Sequence, residues 1–409
     1  MMTDSRDWPQ KSTKVTKGND MKPVVSFWLR RRPFLCVLCF FAANVSLARA
    51  AEPTRFPEAK HGKGELRYID TVPVLTVRGT PTEMGEQFGV LAIKNAPDID
   101  GLQTNFLKDA GIEKRFPLLK TMAALLQPNF PKHIATEIES SAKSSGRDLS
   151  LLLFANTVAD LSSGMGCSTI VIEKDRSGTG NPIFGRNFDW LPTKEINDHT
   201  LVVVYKGEGK RAFAAVTIAP ICGVISGMND AGLSITINEI SIKESKDKSR
   251  FNWKGTPLLF MFRRVLEECG TVAEAEKLLR DMPRTSTCCM TICDKSGGGV
   301  FEITPTSLEV RTCENGVACC TNHFRTDKLC LDDKCWRYTK LSPLQAKDAG
   351  KLGVSEVFAE LDKVNQGKHT LQSMVFEPAE RVLHLAYGPG SATKLKPHKL
   401  DLGKLFDEK

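Results

Sequence analysis

The chain has 409 residues, 41% of them apolar and 25% charged, enough to bury a core and too apolar for a disordered polymer. Its net charge is +8, yet residues 1–50 hold nine Lys/Arg against three Asp, which leaves only +2 for the other 359 residues. That balance excludes a nucleic-acid binder, whose folded body needs a basic stripe.

The basic N-terminal stretch has its own explanation. Arg30-Arg31-Arg32 precede the apolar run Pro33–Ala43, and Ala48-Arg49-Ala50 follow it. A basic flank, a short apolar segment and a small-x-small site make a secretory signal. The reading predicts cleavage after Ala50 and a secreted or periplasmic product. Translation starting at Met21 is an alternative. The apolar run is shorter than the ~20 residues a membrane span requires, so membrane contact is expected only through this segment if it stays uncleaved. Thirteen cysteines fit export. Two lie in the signal, and with Cys167 set aside the other ten can pair as five disulfides in an oxidising compartment.

Residues 51–70 read as an irregular entry, and 71–77 as a strand. Thr80, Pro81 and Glu83 form a capping box with proline in the first helical turn, which starts a helix. Helical periodicity continues in patches to about residue 156, and 149–160 reads as a buried helix. After Cys167 the pattern changes to strands, predicted at 168–173, 182–188, 200–206, 211–218 and 233–239. Gly227–Gly232 reads as a tight connection. Helices are predicted over 256–269 and 272–282. Strands follow at 287–293, 299–304, 307–312 and 317–321, then a helix at 354–364 and a strand at 382–387. Strands, helices, then strands fit two sheets covered by helices better than alternating βαβ units.

The stretch Gly166-Cys167-Ser168-Thr169-Ile170 organises the functional reading. A thiol attacks only as thiolate, and a free cysteine titrates near ~8.5. None of the seven histidines (61, 133, 199, 323, 369, 384 and 398) stands in a recognised cysteine-protease context with Cys167. The alternative base is the cysteine's own α-amino group, whose pKa is about 8. It becomes available only once the Gly166–Cys167 bond is broken. Gly166 suits that cut, because no Cβ shields its carbonyl.

Gly166-Cys167-Ser168-Thr169-Ile170, with Phe184-Gly185-Arg186-Asn187-Phe188-Asp189-Trp190 behind it, resembles the N-terminal-nucleophile (Ntn) hydrolases. Within them it is most similar to the acyl-coenzyme A:6-aminopenicillanic acid acyltransferase group, which neighbours the choloylglycine and penicillin V hydrolases, acid ceramidase and N-acylethanolamine amidase. Gly79-Thr80-Pro81, Gly227-Met228-Asn229 and Thr321-Asn322-His323-Phe324 extend the likeness over roughly residues 68–390. Ser168 stands where threonine is common, and 288–335 is unusually rich in cysteine.

The resemblance implies an α+β fold, an αββα four-layer sandwich. It implies self-cleavage into an α chain, 51–166, and a β chain, 167–409, after removal of residues 1–50. By the same resemblance Cys167 is the nucleophile and its freed amine the base. Asp189 orients that amine, and Arg186 favours the thiolate. Asn238 and Asn322 stabilise the oxyanion, and Arg337 matches a later family arginine. No cofactor or metal is implied, and the partner is a small N-acyl amide. Hydrolysis of a linear amide is the expected reaction, with acyl transfer to an amine as the alternative. Two rivals are a disulfide-stapled binding protein without activity and a Cys–His hydrolase using His323. A zinc site at Cys319, Cys320, His323, Cys330 and Cys335 has the right donor types but no standard spacing.

Overall fold

The computed structural model describes residues 56–162 and 164–408. The predicted signal segment and its cleavage site at Ala50 lie outside them. The stretch expected to be irregular contains two strands, β1 (Ala59–His61) and β2 (Gly64–Ile69), ahead of the predicted β3 (Val72–Gly79). Of the β2 side chains only Leu66 is fully buried, so its period of two was too sparse to read. Thr80 then caps α1 (Pro81–Phe88) as predicted: its hydroxyl accepts from Glu83 N, and the Glu83 carboxylate accepts from Thr80 N at 2.7 Å.

Helices α2 (Ile99–Asp109), α3 (Phe116–Leu126), α4 (Lys132–Ser145), α5 (Leu149–Asn156) and α6 (Val158–Leu161) carry the chain to the linker before Cys167. Strands β4 (Gly166–Ile172) and β5 (Ile183–Asp189) follow. Next come α7 (Lys194–Asp198), β6 (Thr200–Gly207), β7 (Phe213–Ile218), β8 (Ser226–Asn229) and β9 (Ser234–Glu239). Then come α8 (Leu258–Glu268), α9 (Val272–Asp281), β10 (Cys288–Asp294), β11 (Gly297–Ile303), β12 (Leu308–Thr312) and β13 (Val317–Cys320). The chain ends with α10 (Trp336–Leu341), α11 (Val354–Asp362), β14 (Thr370–Glu377), β15 (Val382–Tyr387), β16 (His398–Asp401) and α12 (Leu402–Asp407). The expected tight connection at 227–232 is partly strand, because β8 pairs with β7 and β9 before the turn.

Two sheets result. One has ten strands in the order β1-β2-β3-β6-β7-β8-β9-β10-β11-β12, and the other six, β13-β4-β5-β14-β15-β16. Neighbours are antiparallel except β3 and β6, which run parallel and join the two ends of the larger sheet. Apolar side chains sort into three layers. Phe88, Leu153, Phe260 and Ile237 pack helices on the larger sheet, Val202, Val216, Phe184 and Phe376 fill the space between sheets, and Ile170, Ile183, Val357 and Leu361 pack α11 on the smaller sheet. Three apolar layers between four sets of elements make the expected αββα sandwich. Gly185 allows the last of these contacts, since a Cβ there would lie 2.3 Å from Val357 Cγ1.

The cysteines depart from expectation. All eleven among the described residues are free thiols, not five disulfides around one nucleophile. Strand alternation separates cysteines adjacent in sequence, while Cys289 and Cys320 meet in the inter-sheet layer as free thiols. Cys288 faces the helical layer while Cys289 faces the inter-sheet layer; Cys319 faces α11 while Cys320 faces the inter-sheet layer. Adjacent cysteines are therefore sent to opposite sides of their sheets. Among the described residues no helix is long and apolar enough to cross a membrane.

Candidate active site

Pairing of β4 with β5 builds the centre. The register sets Gly166 opposite Asp189, Cys167 opposite Phe188 and Thr169 opposite Arg186. Both strands are buried between sheet and helices, so their polar side chains must find partners. Space beside Gly166 is tight: a Cβ would fall 2.5 Å from Gln366 Nε2 and 3.2 Å from Asp189 Cβ, so the Gln366 side chain would have to shift.

Arg186 and Asp189 approach Cys167 from opposite sides, as a three-residue offset on a strand demands. Arg186 is fully buried. Its Nη2 donates to Cys167 Sγ at 3.0 Å and to Ile237 O at 3.0 Å; its Nη1 donates to Ile225 O at 2.7 Å and to Ser226 Oγ. Carbonyls of the larger sheet thus fix a guanidinium against the thiol of the smaller one. Asp189 accepts from Thr370 Oγ1 at 2.5 Å and Gln366 Nε2 at 2.8 Å, and lies 3.9 Å from Arg337 Nη1. A register shift in β14 between Thr370 and Gln372 brings Thr370 opposite Asp189.

The chain is continuous through Gly166–Cys167, so the Cys167 nitrogen is an amide. It donates to Asn322 Oδ1 at 2.7 Å, while Asp189 accepts from Thr370 and Gln366. Asn322 Nδ2 donates to Met165 O at 3.0 Å and Glu239 O at 2.7 Å. Arg337 is bound directly to the centre. Its Nη1 donates to Cys167 O and to Ser168 Oγ at 3.2 Å, and its Nη2 to Asn322 Oδ1 at 2.9 Å. Asn238 is fully buried on β9, between Ile237 and Glu239 whose carbonyls take Arg186 and Asn322; its own Nδ2 and Oδ1 have no partner among the described residues. A buried amide left unpaired costs roughly 1–3 kcal/mol.

Burial pushes the Cys167 thiol up; Arg186 opposes this and Asp189 adds to it. The guanidinium therefore does not by itself yield a thiolate in the uncut chain, because desolvation outweighs it. Burial likewise raises Asp189 against the bonds of Thr370 and Gln366 and the charge of Arg337.

Sequence reasoning missed Glu239. Its Oε2 accepts from Met165 N at 2.9 Å and Gly164 N at 3.2 Å, and burial pushes its pKa up to about 8 despite those bonds. It grips the backbone immediately before Cys167. The signal was present: alternation along β9 puts Glu239 on the face of Ile235 and Ile237, an apolar face where an acid is out of place. Nothing local marked Thr370 or Gln366.

His323 does not serve Cys167, contrary to the Cys–His alternative; it lies against Cys335. Cys319 and Cys320 face different layers, so the proposed zinc donors do not converge, and among the described residues no group of three His, Cys, Asp or Glu could hold a metal ion. An apolar cavity of about 70 Å³ lies near the end of β5, walled by Ile99, Leu102, Phe106, Phe154 and Trp190, the residue after Asp189.

Residues 176–391 match the family described as acyl-coenzyme A:6-aminopenicillanic acid acyl-transferase. The chain is 25% identical over 169 residues to the N-acylethanolamine-hydrolyzing acid amidase of Caenorhabditis elegans, covering 39% of this chain and 47% of that protein. It is 27% identical over 135 residues to the acid ceramidase of Rattus norvegicus, covering 28% and 32%. The chain thus matches less than half the length of these curated relatives. A solved structure of the C. elegans N-acylethanolamine-hydrolyzing acid amidase ortholog is 21% identical with a TM-score of 0.42, over 52% of this chain and 93% of that one.

Proposed function

Since the chain belongs to the family of acyl-coenzyme A:6-aminopenicillanic acid acyl-transferase, we propose that it is an exported cysteine amidohydrolase. It cuts its own Gly166–Cys167 bond, then cleaves linear N-acyl amides through an acyl-enzyme on Cys167. The observation that carries this reading is convergence on one residue: Arg186 on the sulfur at 3.0 Å, Asn322 on the nitrogen at 2.7 Å and Arg337 on the carbonyl.

In the first stage the Cys167 sulfur adds to the Gly166 carbonyl carbon. A C–S bond forms, the C–N bond breaks, and the nitrogen leaves as an amine carrying the thiol's proton. Water then hydrolyses the thioester, which leaves a Gly166 carboxylate, a thiol and a free α-amine. Asn322 Oδ1, already the acceptor for this nitrogen, holds the amine. Departure of the 162–166 linker admits water and relieves the desolvation that raises the thiol, so the charge of Arg186 then prevails.

In the second stage the amine takes the thiol proton, the thiolate attacks the substrate carbonyl, and Asn238 donates to the oxyanion. The leaving amine takes the proton back, and water releases the acid. The apolar cavity beside Trp190 favours an apolar acyl group. Hydrolysis is preferred to transfer because outside the cytoplasm water is abundant and activated acyl donors are scarce.

Mass spectrometry of the purified protein tests the first stage. The expected product is a fragment beginning at Cys167, and Cys167→Ala should stay whole and inactive. A screen of N-acyl amides with and without acceptor amines tests the second. Free acid as the sole acyl product supports hydrolysis, while an acylated acceptor would move the assignment to transfer. Full activity in an uncut chain would overturn the mechanism.

A further inference from the structure

In the proposed self-cleavage Gly166 is an acyl group. The Cys167 sulfur takes up its carbonyl carbon, and the buried Met165 is next along the acyl chain. A substrate acylates the same sulfur, beside the same Arg186 Nη2 at 3.0 Å. One nucleophile with one set of polar neighbours holds both carbonyls in one attack geometry. The α-carbon of a substrate's acyl group then lies where the Gly166 α-carbon lies, and meets the same neighbours. One side of that carbon is closed. A Cβ there would fall 2.5 Å from Gln366 Nε2, 3.6 Å from Gln366 Cδ and 3.2 Å from Asp189 Cβ. Asp189 is fixed by strand pairing to Gly166 itself. Gln366, in the connection from α11 to β14, is tied at both ends: Nε2 donates to Asp189 Oδ2 at 2.8 Å and its backbone N to Thr370 Oγ1 at 2.7 Å. Thr370 in turn donates to the other Asp189 oxygen at 2.5 Å. Making room for a branch therefore means giving up a hydrogen bond to the Asp189 carboxylate.

The geometry points to Gln366 as a specificity-determining residue: with Asp189 it selects acyl groups whose α-carbon is a plain methylene and rejects those with a branch in the position of an L side chain. The inference rests on the amidase reading of Cys167. It is also stereospecific. For a 2-methylacyl group whose chain follows the backbone from Gly166 toward Met165, the blocked position is that of the R configuration. In the S compound the methyl replaces the other α-hydrogen and points away from Gln366.

The test uses the full chain and the p-nitroanilides of hexanoic, (R)-2-methylhexanoic and (S)-2-methylhexanoic acid. The parent should favour the unbranched anilide over the R compound by roughly tenfold or more in kcat/KM. Gln366→Ala should lose rate on all three, since Asp189 loses a donor, yet bring the R compound to within about threefold of the unbranched one. The S compound should show no such relative gain. Equal rates on the unbranched and R anilides in the parent, an unchanged ratio in Gln366→Ala, or an equal gain for both mirror images would overturn the role of Gln366 and leave the amidase reading standing. A second arm follows the chain's own acyl group by mass spectrometry. Gly166→Ala should slow the cut before Cys167 by about tenfold or more, and Gly166→Ala/Gln366→Ala should recover most of it, with thermal melts showing both variants folded. A double variant as slow as the single one would also overturn the assignment. A normal cut at Cys167 with no anilide hydrolysed would count against the amidase reading alone, because the second arm still reports on Gln366.

Discussion

Cys167 is surrounded by groups that each do one thing to it. Arg186 stands on the sulfur, Asn322 on the nitrogen and Arg337 on the carbonyl. Asn238 alone holds an unused amide. Replacing it with alanine removes an unpaired buried group, so Asn238→Ala should fold at least as well as the parent. Its turnover should nevertheless fall about 10²–10³-fold if the amide meets the oxyanion. Steady-state kinetics on any accepted N-acyl amide, with thermal melts alongside, check this; unchanged turnover would remove Asn238 from the centre. The grouping of Cys167, Arg186 and Asp189 was legible because they sit in two short contiguous stretches. Gln366 and Thr370 were not, since their role exists only once β14 lies beside β5 and Asp189 sits between them.

Among the elements, α8 carries a buried ion cluster. Arg263 is buried with Glu137 of α4 at 2.6 Å and Glu267 at 2.8 Å, donates to Cys222 O at 3.1 Å, and lies over the Tyr205 ring at 4.4 Å. Despite burial, Arg263 and His133 hold Glu267 down at about 2. Arg263→Ala would leave buried Glu137 without its charge partner and Glu267 with His133 alone, so it should cost roughly 3–5 kcal/mol. Denaturant titration of the Cys167→Ala chain measures it, and a loss under about 1 kcal/mol would mean the cluster is hydrated and cheap to break. The 3.6-residue period found this helix in the sequence. It could not find why an arginine faces inward, because Glu137 lies 126 residues away. Strand β14 escaped for a related reason. It runs through the middle of its sheet with both faces covered, and its buried polar residues Gln372 and Ser373 donate to Thr200 and Asn187. Such a strand shows no alternation.

At the scale of the molecule, the buried acids set a pH dependence. Burial raises Asp160 to about 7 and Glu239 to about 8. The folded chain therefore keeps protons that the unfolded chain releases above about 4. Stability must fall as pH rises from there through about 8, by an amount on the order of a few kcal/mol. Below about 4 the trend reverses, as Glu267 and Asp247, both held near 2, begin to protonate. Thermal melts of the uncut Cys167→Ala protein should thus peak near pH 5 and decline toward pH 8.5. Glu239→Gln should flatten the decline, and a melting temperature rising across that window would contradict the assignment.

The parallel pair β3–β6 has a mechanical consequence for any scission ahead of Cys167. Strands β1 to β3 come from the amino-terminal side of that bond, and the rest of the ten-stranded sheet comes from the other side. Severing the backbone would leave two polypeptides woven through one hydrogen-bonded ladder. Dilution could not part them, and neither could be supplied later to complete a partner already collapsed. Maturation would be a one-way event: once denatured, the nicked pair would have to rebuild a sheet that the unbroken chain assembled as one piece.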